Sequence, residues 1–342
     1  MQVTTIGLDL AKNVFQAHGV DASGKVTVCK TLRRRQVIPF FAKLSPCVVG
    51  LEACGTSHYW ARELSGLGHE VKLMPPAYVK PYVKRGKTDA GDAQAICEAV
   101  TRPSMRFVAV KSPDQQAALS LHRTRDLLVR QRTQTVNMIR GLLAEFGIVI
   151  PKGIWHALKL AERIVKGENL ELPSAAKHAI THLAEQAHAL QSRIADLDRQ
   201  LQAWFSGNET AKRLKTIPGI GVLSASALSA SLADPHQFTS GRQFAAWLGL
   251  TPLAKSSGGK ERLGRISKMG DRYLRRLLVS GMMSQLRWAK THPSDAHPWI
   301  VGLLERKPAK LVAVALANKT ARIAWVVMAR GETYRAPQAP HA

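Results

Sequence analysis

Two long helical stretches in the middle of the chain do most to limit what it can fold into. Residues from about Pro113 to Phe146 and from about Pro173 to Trp204 keep helical spacing. In the second, Leu190, Ile194, Leu197 and Leu201 fall at four- and three-residue steps, the a/d seam of a coiled coil. The seam is short, so an intramolecular helix pair and a dimer zipper both fit it. Residues 151–172 connect the two stretches. The segments on the N- and C-terminal sides of the pair must each bury a core of their own.

The first hundred residues alternate strands and helices. Val3–Leu10 is β-branched and apolar, Gly24 and Lys25 make a turn, and Val26–Leu32 is a second strand. Val37–Leu44 has helical spacing, Cys47–Leu51 is a short buried-strand run, and Ala61–Leu67 is helical up to Gly68. Val71–Met74 is another brief strand, and Asp89–Val100 is helical. Two hairpin-like strands followed by strand–helix alternation predict a mixed α/β sheet rather than a purely parallel one. After Gly207 a mostly helical region runs to about Arg330, and the Pro/Ala-rich tail beyond Glu332 is expected to fray.

Charge narrows the function. Of 342 residues, 49 are Lys or Arg and 24 are Asp or Glu, a net +25, while 45% are apolar. That apolar share excludes a disordered basic tail, and the excess positive charge calls for a polyanion, nucleic acid above all. The bases are spread along the chain, unlike a local membrane anchor. Cys29, Cys47, Cys54 and Cys97 show no C-x-x-C spacing, which excludes a zinc knuckle or disulfide framework. Asp9 and Lys12 interrupt the first apolar stretch, so no cleavable leader is read there. The longest uncharged stretch, Thr216–Ala233, contains Pro218, Gly219, Gly221 and four serines, and reads as a turn and a packed helix. A cytoplasmic protein without a membrane partner is expected.

Two phosphate-loop lookalikes fail. Gly86-Lys87-Thr88 lacks the glycine a P-loop needs five positions earlier, where Pro81 stands. Gly219-Ile220-Gly221 has Ser224 in place of a third glycine and no preceding strand. No nucleotide cofactor is expected. The scarce acids are more informative. Asp9 interrupts an apolar strand, Glu52 ends another, and Asp89 and Asp92 sit three apart at a helix start, on one face. Lys80, Lys84, Arg85 and Lys87 flank the last two. Two strand-borne acids with a helical Asp-x-x-Asp pair suit Mg2+, which prefers carboxylate oxygens and serves phosphoryl transfer. Each acid alone also fits an ordinary role: Asp89 facing its helix dipole, Asp92 pairing with a lysine, Glu52 in solvent.

The C-terminal half holds a second cluster. Leu214-Lys-Thr-Ile-Pro-Gly-Ile-Gly221 before a small-residue helix has the form of a helix–hairpin–helix. There Gly219 and Gly221 let backbone N–H groups approach a phosphate without reading its base. A tight turn between packed helices is the plainer reading. From Lys255 to Arg276 eight bases (Lys255, Lys260, Arg262, Arg265, Lys268, Arg272, Arg275, Arg276) face two acids, Glu261 and Asp271. Ser256 and Ser257, beside Gly258 and Gly259, suit a hydroxyl attacking a phosphate whose oxygens the guanidinium groups hold. A flexible phosphate-binding loop fits the same residues. The first long helix carries Arg123, Arg125, Arg130, Arg132 and Arg140, of which the first four are read, with Lys84, Arg85 and Lys87, as nucleic-acid contacts.

Taken in order, Gly7-Leu-Asp9-Leu-Ala-Lys12, Leu51-Glu52-Ala53, Lys87-Thr-Asp89-Ala-Gly-Asp92-Ala93, Ile217-Pro-Gly-Ile-Gly221, Gly249-Leu-Thr-Pro252, Ser256-Ser-Gly-Gly259 and Ile266-Ser-Lys-Met-Gly270 resemble the IS110 family of bacterial insertion-sequence transposases, DEDD-type serine recombinases guided by a bridge RNA. Ala315-Leu-Ala-Asn-Lys319 and Arg322-Ile-Ala-Trp325 resemble its IS1111 subgroup. The resemblance covers nearly the whole chain. It implies a RuvC-like (RNase H-type) DEDD domain in residues 1–110, a long-helix coiled-coil region in 111–206, a transposase domain with the helix–hairpin–helix and catalytic serine in 207–332, and a frayed tail in 333–342. It carries the magnesium-binding tetrad onto Asp9, Glu52, Asp89 and Asp92, and the nucleophile onto the pair Ser256 and Ser257 without choosing between them. It implies DNA strand exchange through a phosphoserine, a noncoding guide RNA, and a dimer to tetramer in which the two domains form a composite site between protomers. A RuvC-like junction nuclease using water would share the four acids, and a non-catalytic nucleic-acid-binding protein would share the charge.

Overall fold

The computed structural model describes residues 2–84, 86, 88–168, 170–256, 258–260 and 262–336. It divides into two compact units, residues 1–112 with 232–239, and residues 113–231 with 240–342.

The first unit is built on a five-stranded sheet. In chain order its elements are β1 (Thr5–Asp9), β2 (Val14–Val20), β3 (Val26–Arg33), α1 (Val37–Phe41), β4 (Val48–Glu52), α2 (Ser57–Gly66), β5 (Glu70–Met74), α3 (Pro76–Val79) and α4 (Asp89–Val100). The strand order is β3-β2-β1-β4-β5, antiparallel from β3 to β1 and parallel from β1 to β5. The sheet is therefore mixed, as the alternation predicts. Its antiparallel half holds one strand more than the pattern gives, since Val14–Val20 pairs on both sides. Phe15 and Ala17 are buried against exposed Val14 and half-buried Gln16 and His18, but small Ala17 and Gly19 on the inner face and apolar Val14 and Val20 on the outer one mask the strand signal in the sequence.

Side chains alternate across a strand, and this decides which helix lies where. Ile6, Leu8, Val49 and Leu51 share one fully buried cluster with Trp60, Ala61 and Leu64 of α2 and Phe41 of α1. Phe15 meets the Trp60 ring edge-on, centroids 5.0 Å apart. The intervening Gly7 and Gly50, paired across β1 and β4, face the other way, toward α4. A Cβ on Gly7 would overlap the Ala93 carbonyl oxygen and Cys97 nitrogen, and one on Gly50 would stand 2.9 Å from the Val100 Cβ. The two glycines are a flat floor that brings the α4 backbone onto β1.

The second unit is helical with one small hairpin. Its elements are α5 (Pro113–Ala144), α6 (Ile154–Val165), α7 (Ser174–Ser206), α8 (Glu209–Lys215), α9 (Val222–Ser231), α10 (Gly241–Trp247), β6 (Pro252–Ala254), β7 (Leu263–Ile266), α11 (Arg272–Thr291), α12 (Pro298–Arg306) and α13 (Ala309–Arg330). The long helices α5 and α7 pack on each other within the chain. Leu190, Ile194 and Leu201 are buried and Leu197 half-buried, so the apolar seam is used intramolecularly. The connector contains α6, whose Ala157, Ala161 and Ile164 join Val136, Ile139, Leu143, Ile180 and Ala184 in one core. The uncharged stretch after Thr216 is a turn and the packed helix α9, with Ser224–Ala230 buried throughout. α13 is long and apolar enough by length and composition to cross a membrane; here it packs on α8, α10 and α11.

Candidate active site and nucleic-acid interface

The four acids arrive from three elements. Leu8 pairs with Leu51 across β1 and β4, so the next residues, Asp9 and Glu52, leave the carboxyl ends of two parallel strands side by side. α4 begins with Thr88 in extended conformation, its Oγ1 accepting from the Gly91 N–H at 3.1 Å. This cap sets the first turn that carries Asp89 and Asp92. With α4 seated on Gly7, carboxylate oxygens of Asp9, Asp89 and Asp92 lie within 4.8 Å of one another. Glu52 is outside that trio and is felt electrostatically by Asp9.

The crowding shows in the titration of these groups. Burial, then the charges of Asp92, Asp89 and Glu52, push the Asp9 carboxyl from its ordinary 3.8 to about 6. Burial, then Asp92, raises Glu52. Hard oxygen donors with unrelieved mutual repulsion are what a divalent cation neutralises, so the donor set fits the metal expected of it. Lys84 is exposed and near enough to help hold the His18 imidazole below its ordinary value, after burial. Arg85 and Lys87 lie outside the described residues.

In the second unit Ser256 belongs to the β6–β7 hairpin, with Pro252 opposite Ile266 and Ala254 opposite Leu263. The Lys255 N–H donates to the Arg262 carbonyl at 2.8 Å, and the Ser256 Oγ accepts from the Arg262 N–H at 3.3 Å. Ser256 is exposed, and Ser257 lies outside the described residues. The base of this hairpin is anchored by two of the motifs. The Ser267 N–H donates to the Thr251 carbonyl at 2.9 Å, and that of Lys268 to Gly249 at 3.1 Å. Gly249 (φ 71°) and Gly270 (φ 78°) are left-handed, and a Cβ on either would strike the backbone of the other segment, at Met269 and Trp247. Asp271 then caps α11, its Oδ1 accepting from the Tyr273 and Leu274 N–H groups at 2.7 and 2.9 Å. Lys255, Lys260, Arg262, Arg265, Lys268 and Arg272 surround the hairpin, and all six are exposed.

The glycines of the α8–α9 turn differ in use. Gly219 faces α11, where a Cβ would meet Met282 and Gln285, whereas Gly221 opens on free space at the start of α9. On α5, Arg123 and Arg130 are exposed, the latter 3.5 Å from Asp126 one turn back. Arg125 and Arg132 clip α5 to α7 instead. The Arg125 Nε donates to Asp198 and the Arg132 Nη1 to Gln191, each at 2.5 Å. Asp198 and Gln191 lie a further helix away in sequence, so spacing within α5 carries no sign of this use. His122 is likewise a residue that sequence spacing does not single out. It is buried between Tyr273 OH and Ser226 Oγ, 3.0 Å from each, and burial holds it near 4, neutral.

Two family models match the sequence. One, of the DEDD type for IS110 and described as a transposase, covers residues 6–148; the other, described as the transposase IS116/IS110/IS902 family, covers residues 211–297. A probable family 20 transposase of Pseudomonas aeruginosa is 51% identical over 98% of this chain and 99% of its own. The transposase of insertion element IS1328 from Yersinia enterocolitica is 43% identical over 97% and 98%. That of IS1111A from Coxiella burnetii is 40% identical over 97% and 92%.

Proposed function

The chain belongs to the IS110/IS116 family of insertion-sequence transposases, with similarity to elements of the IS1111 subgroup, and from that premise we propose that it exchanges DNA strands through a covalent phosphoserine. Membership makes it a DNA-processing enzyme. The observation that carries the finer reading is the meeting of Asp9, Asp89 and Asp92 within 4.8 Å, on a sheet and helix held together by Gly7. We read this unit as RuvC-like and the α8–α9 turn as a helix–hairpin–helix.

In this reading Asp9, Glu52, Asp89 and Asp92 hold a divalent ion, magnesium. Bound there, it would supply positive charge to the oxygens of a scissile phosphate. The nucleophile is the hydroxyl of Ser256 or Ser257. Its oxygen bonds to phosphorus as the bond to the leaving sugar oxygen breaks; the serine gives up its proton and the sugar oxygen gains one. One phosphodiester is exchanged for another of similar energy, so the step reverses onto a second strand with neither hydrolysis nor a nucleotide cofactor. Lys255, Lys260, Arg262, Arg265, Lys268 and Arg272 hold non-bridging oxygens, and Lys84, Arg123, Arg130 and Gly221 contact backbones further out. A noncoding guide RNA chooses the sequence, which leaves backbone holding to the protein. The active form is a dimer to tetramer in the bacterial cytoplasm.

Trapping protein–DNA adducts with DNA bearing the element's own ends, in the presence of its transcript, tests this. Ser256→Ala or Ser257→Ala should remove the adduct, and Asp9→Ala should remove strand exchange while nucleic-acid binding survives. Adducts from the double serine variant would place the nucleophile elsewhere. Cutting without any adduct would favour a water-dependent nuclease.

A further inference from the structure

Within the second unit, α10, α12, α13 and the segment after Gly331 enclose a groove of about 980 Å3 that the strand-exchange reading does not use. The bulk of its charge comes from Arg242, Lys319, Arg322 and Arg335, and its aromatic surface from Trp299 and Tyr334. Glu332 is the acid among its lining residues. Among the described residues no ion pair engages any of the four bases.

Fixed contacts build the walls. Gly241, at the start of α10, sits so close to α13 that a Cβ would meet the Arg322 carbonyl oxygen at 3.0 Å. The Asn318 amide donates to the Leu250 carbonyl at 2.9 Å. The Tyr334 N–H donates to the Thr216 hydroxyl at 2.9 Å, which ties the returning segment in place. Trp299 stays 40% exposed, with the Lys319 ammonium 4.4 Å from its ring centroid.

We propose that this groove binds a short unpaired stretch of nucleic acid, its bases stacking on Trp299 and Tyr334 and its phosphates held by Arg242, Lys319, Arg322 and Arg335. A row of bare phosphates needs only the positive charge. Aromatic rings set among those charges add a second requirement that an unpaired base meets and a paired one cannot, because its faces are covered by its neighbours. The Lys319 ammonium occupies the Trp299 face through cation–π attraction; an arriving base takes that face, and the ammonium moves to the phosphate beside it. The volume is at the upper end for ligand pockets, roughly enough for two or three nucleotides. The occupant is a single strand, RNA and DNA being the two sources of the same chemistry.

The test is site-resolved photo-crosslinking on the full-length protein. The probes are a single-stranded RNA of about six nucleotides carrying 4-thiouridine and the matching DNA with 4-thiothymidine, sizes typical of such sites. Crosslinks are expected on peptides containing Trp299 or Tyr334. Trp299→Leu should remove them and weaken hexamer binding about tenfold, Trp299→Phe should restore both, and Lys319→Glu with Arg322→Glu should abolish both. Arg335→Glu, outside any helix, gives a second charge reversal if the helix variant fails to fold. Crosslinking by RNA alone names RNA as the strand; crosslinking by both leaves the site open to either. The proposal is overturned if no crosslink reaches these peptides, if a blunt duplex displaces the hexamer as well as a single strand does, or if polyglutamate does. None of these variants touches the four acids or the hairpin, so adduct formation with the serine intact is read independently.

Discussion

At the scale of single residues the acid cluster has a cost that can be measured without any reaction. The folded Asp9 carboxyl titrates near 6 and the unfolded one near 3.8. Between those values the folded chain keeps a proton that the unfolded chain has released, so stability falls as pH rises through the window, and above about 6 the full cost of an ionised Asp9 is present. For a carboxylate this open to solvent the cost is on the order of 1 kcal/mol after screening, or a few degrees in melting temperature. Metal-free Asp9→Asn should therefore melt above the unaltered protein at pH 7.5, and the two should converge near pH 4. Added magnesium should raise the melting point of the unaltered protein and much less that of the variant. A pH-independent gap would remove Asp9 as the strained member. Of this cluster, the identity of the acids is written in the sequence, because a charge ending an apolar strand stands out. Their uneven closeness is not: that Glu52 sits outside the trio depends on how a helix lies over a sheet, which no local pattern records.

The element that decides that placement is α4, and what seats it is the missing side chain at Gly7. Gly7→Ala would push a methyl into the Ala93–Cys97 backbone, which has no flexible side chain there to yield. Overpacking of this kind costs about 3 kcal/mol, and the helix can lower that only by lifting away, taking Asp89 and Asp92 with it. The variant should lose that stability in urea titration and also lose the magnesium-dependent rise in melting point. If it keeps that rise, the floor does not position the acids. Gly50→Ala, against the side chain of Val100, should be milder. The long helices α5 and α7 are legible from their spacing and α4 from its periodicity and the two acids at its start, whereas beyond Gly207 the pattern reads only as a helical region without individual ends. The strand Val14–Val20 and the helix Ile154–Val165 are not legible, the first because its inner positions Ala17 and Gly19 are small while Val14 and Val20 place apolar residues on its outer face, the second because short apolar runs between prolines look like a linker. The hairpin carrying Ser256 was hidden for another reason: its strands are three and four residues long, and what fixes them is a glycine-to-backbone approach from α10 and the start of α11.

At the scale of the whole molecule the net charge of +25 sets how binding responds to salt. Arg125, Arg132 and Arg276 are engaged with Asp198, Gln191 and Asp126 inside the chain, so counting bases overstates the number that reach phosphates. Reversing Arg123 and Arg130 together should weaken duplex binding at every sequence alike and flatten the log–log salt dependence by about two, one for each lost phosphate contact. Reversing Arg125 should instead cost helix packing and leave that slope nearly unchanged. The discontinuity of the first unit has a consequence for how the protein is made. Residues 232–239 belong with residues 1–112, and the Gln237 side chain accepts from the Ala109 N–H at 3.3 Å. A nascent chain that has just released the last acid from the ribosome thus waits, at ordinary elongation rates, roughly ten seconds before the final piece of that unit emerges. Through that interval a cluster of mutually repelling carboxylates is carried by an unfinished fold, beside a growing stretch of basic helix and within reach of the nucleic acid around the ribosome.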